Sequence, residues 1–465
     1  MNGLLGMRRV KLVTGAAVAV LLSAAMGPTP VLADTIDAAL VRAYQNNPQL
    51  NAQRAFVRAQ DEGVPQALSG YRPKVNIQAS GGALYQDVSS AGIRVHGNLV
   101  PASVGITANQ TLYNGQITAN KVRNAESTMS GAREGLRNIE QTVLFTAAST
   151  YMDYLRDSAI VEVQRSNTRV LEQTLKQTQD RFNVGEVTRT DVAQSEAQLA
   201  AGRTQQLTAE SNLTTTRSKF RQVIGNEPQN LAPGSPVDRF LPATLAAAVE
   251  LGLTQNPTVT SAMFGVDVNF LSVKINEGAL FPTIGLQVSA TQANDQQLSV
   301  QKNFTASALV QMNVPVYNGG AEYSLIRQSK ESLAQQRLVL EQTRDAARAG
   351  VVTAWGQLVA GKAQVASAQA QVTASEIALN GVREEAKAGQ RTTLDVLNAQ
   401  QALVNARNAL VTAQHDRVVA SYSVLQAVGR LSPQVLNLAT TTYDPSVHYH
   451  QVRDNWIGVR TPDGR

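Results

Sequence analysis

Two glycine turns carry the charged residues that this sequence offers for chemistry. Val184-Gly185-Glu186 precedes Thr190 and Asp191, and Ala388-Gly389-Gln390 precedes Arg391, Asp395 and Asn398. By residue type alone, Asp191 is a helix cap worth about 1 kcal/mol and Arg391 a solvated turn residue. An exposed ion pair between such groups contributes roughly 0 to 1 kcal/mol. His448 and His450 offer two imidazoles, but in a polar tail without cysteine they read as surface residues and not as metal ligands. No phosphate-binding glycine loop, no nucleophile with its base and no metal-ligand cluster stands elsewhere, so the sequence predicts no enzyme, no metal and no cofactor.

The chain that must hold those turns has 465 residues, only 5% aromatic and 16% charged, against about 25% charged in ordinary soluble proteins. It has no cysteine, which excludes disulfides, thiolate zinc sites and a lipid anchor on an N-terminal cysteine. Residues 1–11 are basic, residues 12–26 apolar and small, and Val31-Leu32-Ala33 supplies small residues at the positions a signal peptidase reads. The expected signal peptide is therefore 1–33, with the mature chain beginning at Asp34. Losing Arg8, Arg9 and Lys11 leaves 38 basic against 35 acidic residues, a charge of +3, too small a surplus to imply nucleic acid. After Asp34 there is no uncharged apolar run of about 18 residues that would span a membrane as a helix.

One unit is written twice. Residues 35–80 fall on 244–289 at a constant offset of 209: Thr35 on Thr244, Asn47-Pro48 on Asn256-Pro257, Pro73 on Pro282. The correspondence resumes at an offset of 204, with Tyr113-Asn114-Gly115 on Tyr317-Asn318-Gly319, Gly185 on Gly389 and Asp191 on Asp395. A register kept this long with one deletion implies two repeats, 34–225 and 244–430, joined by a linker at 226–243 and followed by a polar tail at 431–465.

Proline placement bounds the helices, because an interior proline costs about 3 kcal/mol. None occurs from Ala102 to Glu227 or from Val316 to Ser432. The expected elements are a long helix over 116–184 and a shorter one over 190–224 starting at Thr190-Asp191, preceded by a short helix over 36–69 bent at Pro65. The second copy repeats them at 320–388, 394–428 and 245–278. The two short helices of a copy, stacked end to end, match the long one, and a helix of roughly 100 Å makes a rod or the wall of a tube.

Between the helices the period falls to 2. Val75, Ile77 and Ala79 alternate with polar residues, as do Val104, Ile106 and Ala108, then Ile284, Leu286, Val288 and Ala290, and finally the alternate residues from Phe304 to Val316. The expected strands cover about 74–87, 103–112, 283–293 and 304–316, the pattern of outer-membrane strands with aromatics near their ends. Pro315 is expected to mark where the last strand stops pairing. Four strands cannot close a barrel, and an open edge in hydrocarbon leaves backbone groups unpaired. The chain must share its barrel with copies of itself: two, three or four copies would give 8, 12 or 16 strands, and only the larger counts leave room for a channel.

These residues together resemble the TolC-type outer-membrane ducts of efflux and type I secretion. The carriers are Asn47-Pro48 and Asn256-Pro257, the strand exits Tyr113-Asn114-Gly115 and Pro315-Val316-Tyr317-Asn318-Gly319-Gly320, Arg181-Phe182-Asn183-Val184-Gly185, and Gly389-Gln390-Arg391-Thr392. The tail, with Tyr443-Asp444-Pro445, His448-Tyr449, Val452-Arg453 and Trp456, resembles the secretion branch. The resemblance implies a fold that is mainly α with a membrane β-barrel: a homotrimer whose 12-stranded barrel continues into a helical tunnel. It implies export of small molecules or proteins across the outer membrane, in contact with outer-membrane lipid, a periplasmic adaptor and an inner-membrane ABC or proton-driven pump. Pro73, Pro282, Pro315, Gly115 and Gly319 mark the passages between strands and helices.

The same resemblance implies a gate at the glycine turns. Thr190 and Asp191 correspond to acceptors for the gate arginine, Arg391, of a neighbouring protomer, and Asp395 to a ring of carboxylates around the pore. Asn398 stands in place of a second ring aspartate and Ala386 in place of a gate tyrosine, so the constriction is expected to be less acidic and less tightly latched. The turns 184–186 and 388–390 correspond to adaptor-docking sites, with Glu186 where leucine is usual. Without the resemblance, the other reading is an exported helical filament protein lacking a channel.

Overall fold

The computed structural model describes residues 34–90, 92–298, 300–462 and 464, and the expected leader lies outside them. Among the described residues no helix is long and apolar enough to cross a membrane. Three short helices, α1 (Ile36–Asn46), α2 (Pro48–Asp61) and α3 (Gly63–Leu68), lead into strands β1 (Lys74–Gly81), β2 (Leu84–Ser90), β3 (Ile93–Leu99) and β4 (Ala102–Asn114). Helices α4 (Ile117–Asn183) and α5 (Arg189–Ile224) complete the first half. The second half runs through α6 (Leu245–Gln255), α7 (Pro257–Gly278), β5 (Thr283–Gln297), β6 (Val300–Asn313), α8 (Ala321–Lys387) and α9 (Thr393–Ala427), and α10 (Ser446–Val452) lies in the tail.

The single helix expected over 36–69 is divided at Asn47 and again at Glu62, and that expected over 245–278 is divided at Asn256. Both asparagines are extended, with ψ 123°. The Oδ1 of Asn47 accepts from Gln49 N and Leu50 N, that of Asn256 from Thr258 N, and the following proline fills N1, where a missing N–H costs nothing. Pro65 falls in the first turn of α3 and is tolerated there for the same reason.

The side-chain amide of each asparagine also reaches the C-terminus of another helix. Asn47 Nδ2 donates to Val223 O at the end of α5, and Asn256 Nδ2 donates to Ala427 O at the end of α9. The helices thereby stand as four columns. The α1–α3 run with α5 forms the first, α4 the second, α6–α7 with α9 the third, and α8 the fourth; α4 packs between the first and third, and α8 against the third. The long helices, each 67 residues, run the length of a column.

The strands follow the same sequence. One antiparallel sheet has the order β1-β4-β5-β6, so each strand continues the column below it, and β1 and β6 are free edges. The register separates two faces. Rows such as Ile77, Ile106, Ala290 and Ala306 lie on one, and rows such as Asn76, Thr107, Ser289 and Ser307 on the other. An apolar outer and a polar inner face is the pattern of a membrane barrel.

The strand expected over 74–87 ends at Gly81, and β2 pairs with β3 in a separate two-stranded sheet. The residues by which the first copy exceeds the second are thus used near that hairpin, where Gly81-Gly82 offers no side chain to hold the long strand straight. At the other end, β6 stops at Asn313, so Val314 and Val316 lie beyond the ladder and Pro315 follows its end by two residues. A bulge between Thr111 and Tyr113 leaves Leu112 out of register and sets Tyr113 opposite Ile284, on the apolar face.

The main core lies where α1, α2, α4, α5 and α9 meet the linker and tail. It is built on Leu40, Leu50, Leu144, Tyr151, Phe220 and Tyr422, with Val237 from the linker and Leu431, Leu436 and Leu438 from the tail. The segment expected to be a polar tail therefore supplies core. His448 is buried and not a surface residue: its Nδ1 lies 3.0 Å from Oδ2 of the fully buried Asp61, which Arg133 approaches at 3.5 Å. Asp61 belongs to α2, far from the tail in sequence, so composition could not reveal the pair. His450 is exposed.

Candidate functional site

The two glycine turns end the long helices in the same way. Gly185 (φ 81°) and Gly389 (φ 76°) adopt the left-handed conformation that L side chains resist. Glu186 N donates to Arg181 O and Gly185 N to Phe182 O; Gln390 N donates to Glu385 O and Gly389 N to Ala386 O. These are paired Schellman closures, which satisfy carbonyls that a helix end leaves orphaned. Val184, Gly185, Glu186, Ala388, Gly389 and Gln390 are all exposed, and Val184 presents 72% of its surface.

The next helices also start alike. The first cap is Thr188 and not Thr190-Asp191: Thr188 Oγ1 accepts from Asp191 N, while Asp191 Oδ2 accepts from Thr188 N at 2.9 Å. Thr392 and Asp395 repeat this capping box, with Thr392 N donating to Asp395 Oδ2 at 2.9 Å. A carboxylate at the third helical position satisfies the cap's own N–H and faces the positive end of the helix dipole. Bonds from Thr188 hold the Asp191 carboxyl below the usual aspartate range, and bonds from Thr392 do so for Asp395. Thr190 is exposed on the first turn of α5. Asn398, also exposed, lies one turn beyond Asp395 on the same helix, as i,i+3 neighbours do.

Within one chain Arg391 does not reach Asp191. Its Nε donates to Glu385 at 2.9 Å, which raises the Arg391 pKa, and Asp395 adds to the effect through space. Glu186, the departure from the usual leucine, pairs with Arg181 at 3.0 Å. At each tip an ion pair thus closes the turn on itself, and Lys387 with Glu384 adds another at the second tip.

Buried amides behind the tips join the two halves, and sequence reasoning missed them. Arg383 Nη2 donates to Gln400 Oε1 at 3.0 Å, and Gln400 Nε2 donates to Asn167 Oδ1 at 3.2 Å. Half-buried Gln198 and Gln401 add a second link, Gln198 Nε2 donating to Gln401 Oε1 at 3.1 Å between α5 and α9. Leu171, Leu199 and Leu397 pack beside them. In helices so rich in glutamine and asparagine, nothing local marks which amides turn inward.

At the opposite end of the columns, Pro73 and Pro282 immediately precede β1 and β5, where their missing N–H removes no ladder bond. Gly115 (φ 61°) follows β4, and a Cβ there would strike the carbonyl of Gly278. Gly319 (φ 71°) precedes the left-handed cap Gly320 of α8. Among the described residues no group of His, Asp and Glu is arranged to hold a metal ion.

The family described as "Outer membrane efflux protein" matches residues 39–226 and 248–430. The chain is 41% identical over 435 residues to Outer membrane efflux protein BepC of Brucella suis biovar 1 (strain 1330), covering 93% of this chain and 94% of that one. It is 26% identical to Outer membrane protein TolC of Vibrio cholerae, covering 89% and 95%. The fold superposes on the Campylobacter jejuni CmeC outer membrane channel with a TM-score of 0.77 at 16% identity, covering 90% of this chain and 89% of that one.

Proposed function

The chain belongs to the outer membrane efflux protein family, and from that premise we propose that three copies close one duct through which substrate leaves the periplasm. The protein is an export channel of the Gram-negative outer membrane, in a family of transport channels and not of enzymes. An exported filament subunit is thereby set aside. The finer reading follows from geometry and charge.

The observation that carries it is the shared order of strands and columns. Edge strand β1 stands on the first column and edge strand β6 on the fourth, α8. A neighbouring copy can therefore pair β6 with β1 and pack α8 against α2 and α5 without rearrangement. Three copies give 12 strands and 12 columns, and no backbone edge remains in lipid. The apolar rows then face lipid and the polar rows the bore. Exposed Leu338, Val352 and Val359 on α8 supply apolar surface for that contact. Native mass spectrometry in detergent should yield a trimer; a stable monomer or dimer would overturn this reading.

The glycine turns form the periplasmic entrance in this reading, with signal peptide 1–33 removed beforehand. Asp395, with Asn398 beyond it, rings the constriction, and three such carboxylates between low-dielectric walls concentrate cations. Arg391 restrains opening by linking to Thr190 and Asp191 of the neighbouring copy. The exposed turns 184–186 and 388–390 receive a periplasmic adaptor, which brings an inner-membrane pump. What passes, drug or secreted protein, is decided by that pump.

A further inference from the structure

The tail changes character along its length. Leu431, Leu436, Leu438 and Val452 are at most 9% exposed, yet beyond Asn455 the apolar residues Trp456, Ile457 and Val459 present 66%, 96% and 100% of their surfaces. Large apolar side chains gathered in the open mark a surface that something covers.

The location of this segment says what. Contacts of His448 with Asp61 and of Arg453 with Glu126 pin α10 along α2 and α4, so the tail runs beside α2 toward the sheet. It arrives at the entry to β1. There Arg72 Nη1 donates to Asn455 O at 2.7 Å, and the guanidinium lies 4.7 Å from the centre of the Trp456 ring. This is the level at which every strand of the sheet meets its helix. Exposed aromatics mark all four junctions: Tyr71, Tyr113, Phe281 and Tyr317. The side chain of Gln110, which the register assigns to the apolar face, donates to Tyr71 O at 2.9 Å, so the chain enters β1 over that face. Rings at such a level favour the headgroup region, where one edge is dry and the other wet.

We propose that residues 456–459 seat in the periplasmic leaflet of the outer membrane, as an interfacial anchor that adds a fifth aromatic to the girdle of each protomer. The covering partner is phospholipid. The apolar side chains continue the lipid-facing wall; Arg72 against the Trp456 ring, with Arg453 and Arg460 flanking the segment in sequence, supplies positive charge, opposed by Asp454 and by the Glu126 that Arg453 meets at 4.0 Å. Cations beside an inserted tryptophan favour anionic headgroups. The proposal rests on the reading of the apolar sheet face as the barrel exterior.

The test uses the two tryptophans of the chain, Trp355 and Trp456. With Trp355→Phe, Trp456 is the single emitter in the full-length protein reconstituted into phosphatidylethanolamine–phosphatidylglycerol vesicles. Acyl chains brominated near the headgroup should quench it, aqueous acrylamide should quench it weakly, and replacing phosphatidylglycerol by phosphatidylcholine should reduce the bromine quenching. A separate reporter, Val310→Trp in a Trp355→Phe, Trp456→Phe background, reads the barrel wall. If Val310→Trp is quenched by brominated lipid and Trp456 is not, the anchor is overturned while the barrel stands. Strong acrylamide quenching of Trp456 would mean a solvated tail. Blue-shifted emission untouched by either quencher, with a lower melting temperature for Trp456→Phe, would mean a contact with a neighbouring copy. If neither reporter meets lipid, the barrel reading itself fails.

Discussion

Asn256 Nδ2 donates to Ala427 O at 2.9 Å while its Oδ1 accepts from Thr258 N at 2.9 Å, so one side chain starts α7 and closes the end of α9. The stack of short helices beside α8 depends on this joint, as the other depends on Asn47.

Asn256→Ala should destabilise the assembled protein by about 2 kcal/mol, the sum of a lost cap and a lost hydrogen bond. Asn256→Ser keeps the cap acceptor but cannot span to Ala427, and should lose about half as much. Thermal unfolding in detergent measures both, and full stability in the serine variant would mean that the tie to Ala427 contributes nothing.

Arg391→Ser should raise single-channel conductance in a planar bilayer, because in the proposed gate it removes the cation that restrains opening. Glu385→Gln bears on the same latch from the other side: it releases Arg391 from its own turn and should strengthen the link to the neighbouring copy, lowering conductance. A gate built on Arg391 is refuted by parental conductance in both variants.

Asp395 caps α9 and, in the proposed gate, also carries the ring charge, and one substitution would confuse the two. Asp395→Ala removes the ring charge together with a capping interaction worth about 1 kcal/mol, whereas Asp395→Asn keeps an acceptor for Thr392 N. Both should lower cation selectivity in reversal-potential measurements and weaken block by multivalent cations, and only the alanine variant should also unfold earlier. Unaltered selectivity in the asparagine variant would detach the charge from the pore.

His415 lies between two carboxylates, with Nε2 3.0 Å from Asp153 and Nδ1 2.8 Å from Asp416, and Arg156 and Lys219 also approach Asp153. Burial pushes the His415 pKa down and Arg156 opposes the charged form, but the two carboxylates outweigh them and hold it above 6.5. Burial likewise raises Asp153, and His415, Arg156 and Lys219 more than reverse this. The histidine's contribution is complete below its unfolded value, about 6.5, and is lost as pH rises through its higher folded value. That of Asp153 is complete above about 3.9 and is lost as pH falls through its lower folded value. The melting temperature should therefore decline from mildly acidic to mildly alkaline pH, and His415→Gln should flatten that decline. An equal slope in parent and variant would exclude the pair as its source.

His448→Ala leaves the buried Asp61 carboxylate with Arg133 at 3.5 Å as its remaining cation, and should cost about 3 kcal/mol. It should also expose the tail to limited proteolysis near α10. His448→Leu with Asp61→Leu should recover much of the loss, since it removes the charge along with its partner. A tail equally resistant in His448→Ala would show that α10 is held by its apolar contacts alone.

What the sequence determined by itself is whatever physics acts over a few residues. The glycines at 185 and 389 and the long proline-free intervals delimit helices because backbone dihedrals and end caps are local, whereas the breaks before Pro48 and Pro257 fell inside helices expected to be single. Period-2 alternation assigned Ile77, Ile106, Ala290 and Ala306 to one face because a strand turns its side chains over at every residue. The matching of Asn47 with Asn256 was visible too, though not that each amide would tie a second helix.

Tertiary structure alone decided the relations between distant segments. Residue type leaves a histidine free to be solvated or buried, and the carboxylate of Asp61, 387 residues away, settles it for His448. Arg391 has Glu385 across its own turn because the Schellman closure folds that stretch back on itself. Gln400 turns inward to Asn167 only because α4 and α9 are neighbours in the column order. Such pairs form when loop closure and burial bring two polar groups into one low-dielectric space, and the energy of that event belongs to the packing and to neither segment alone.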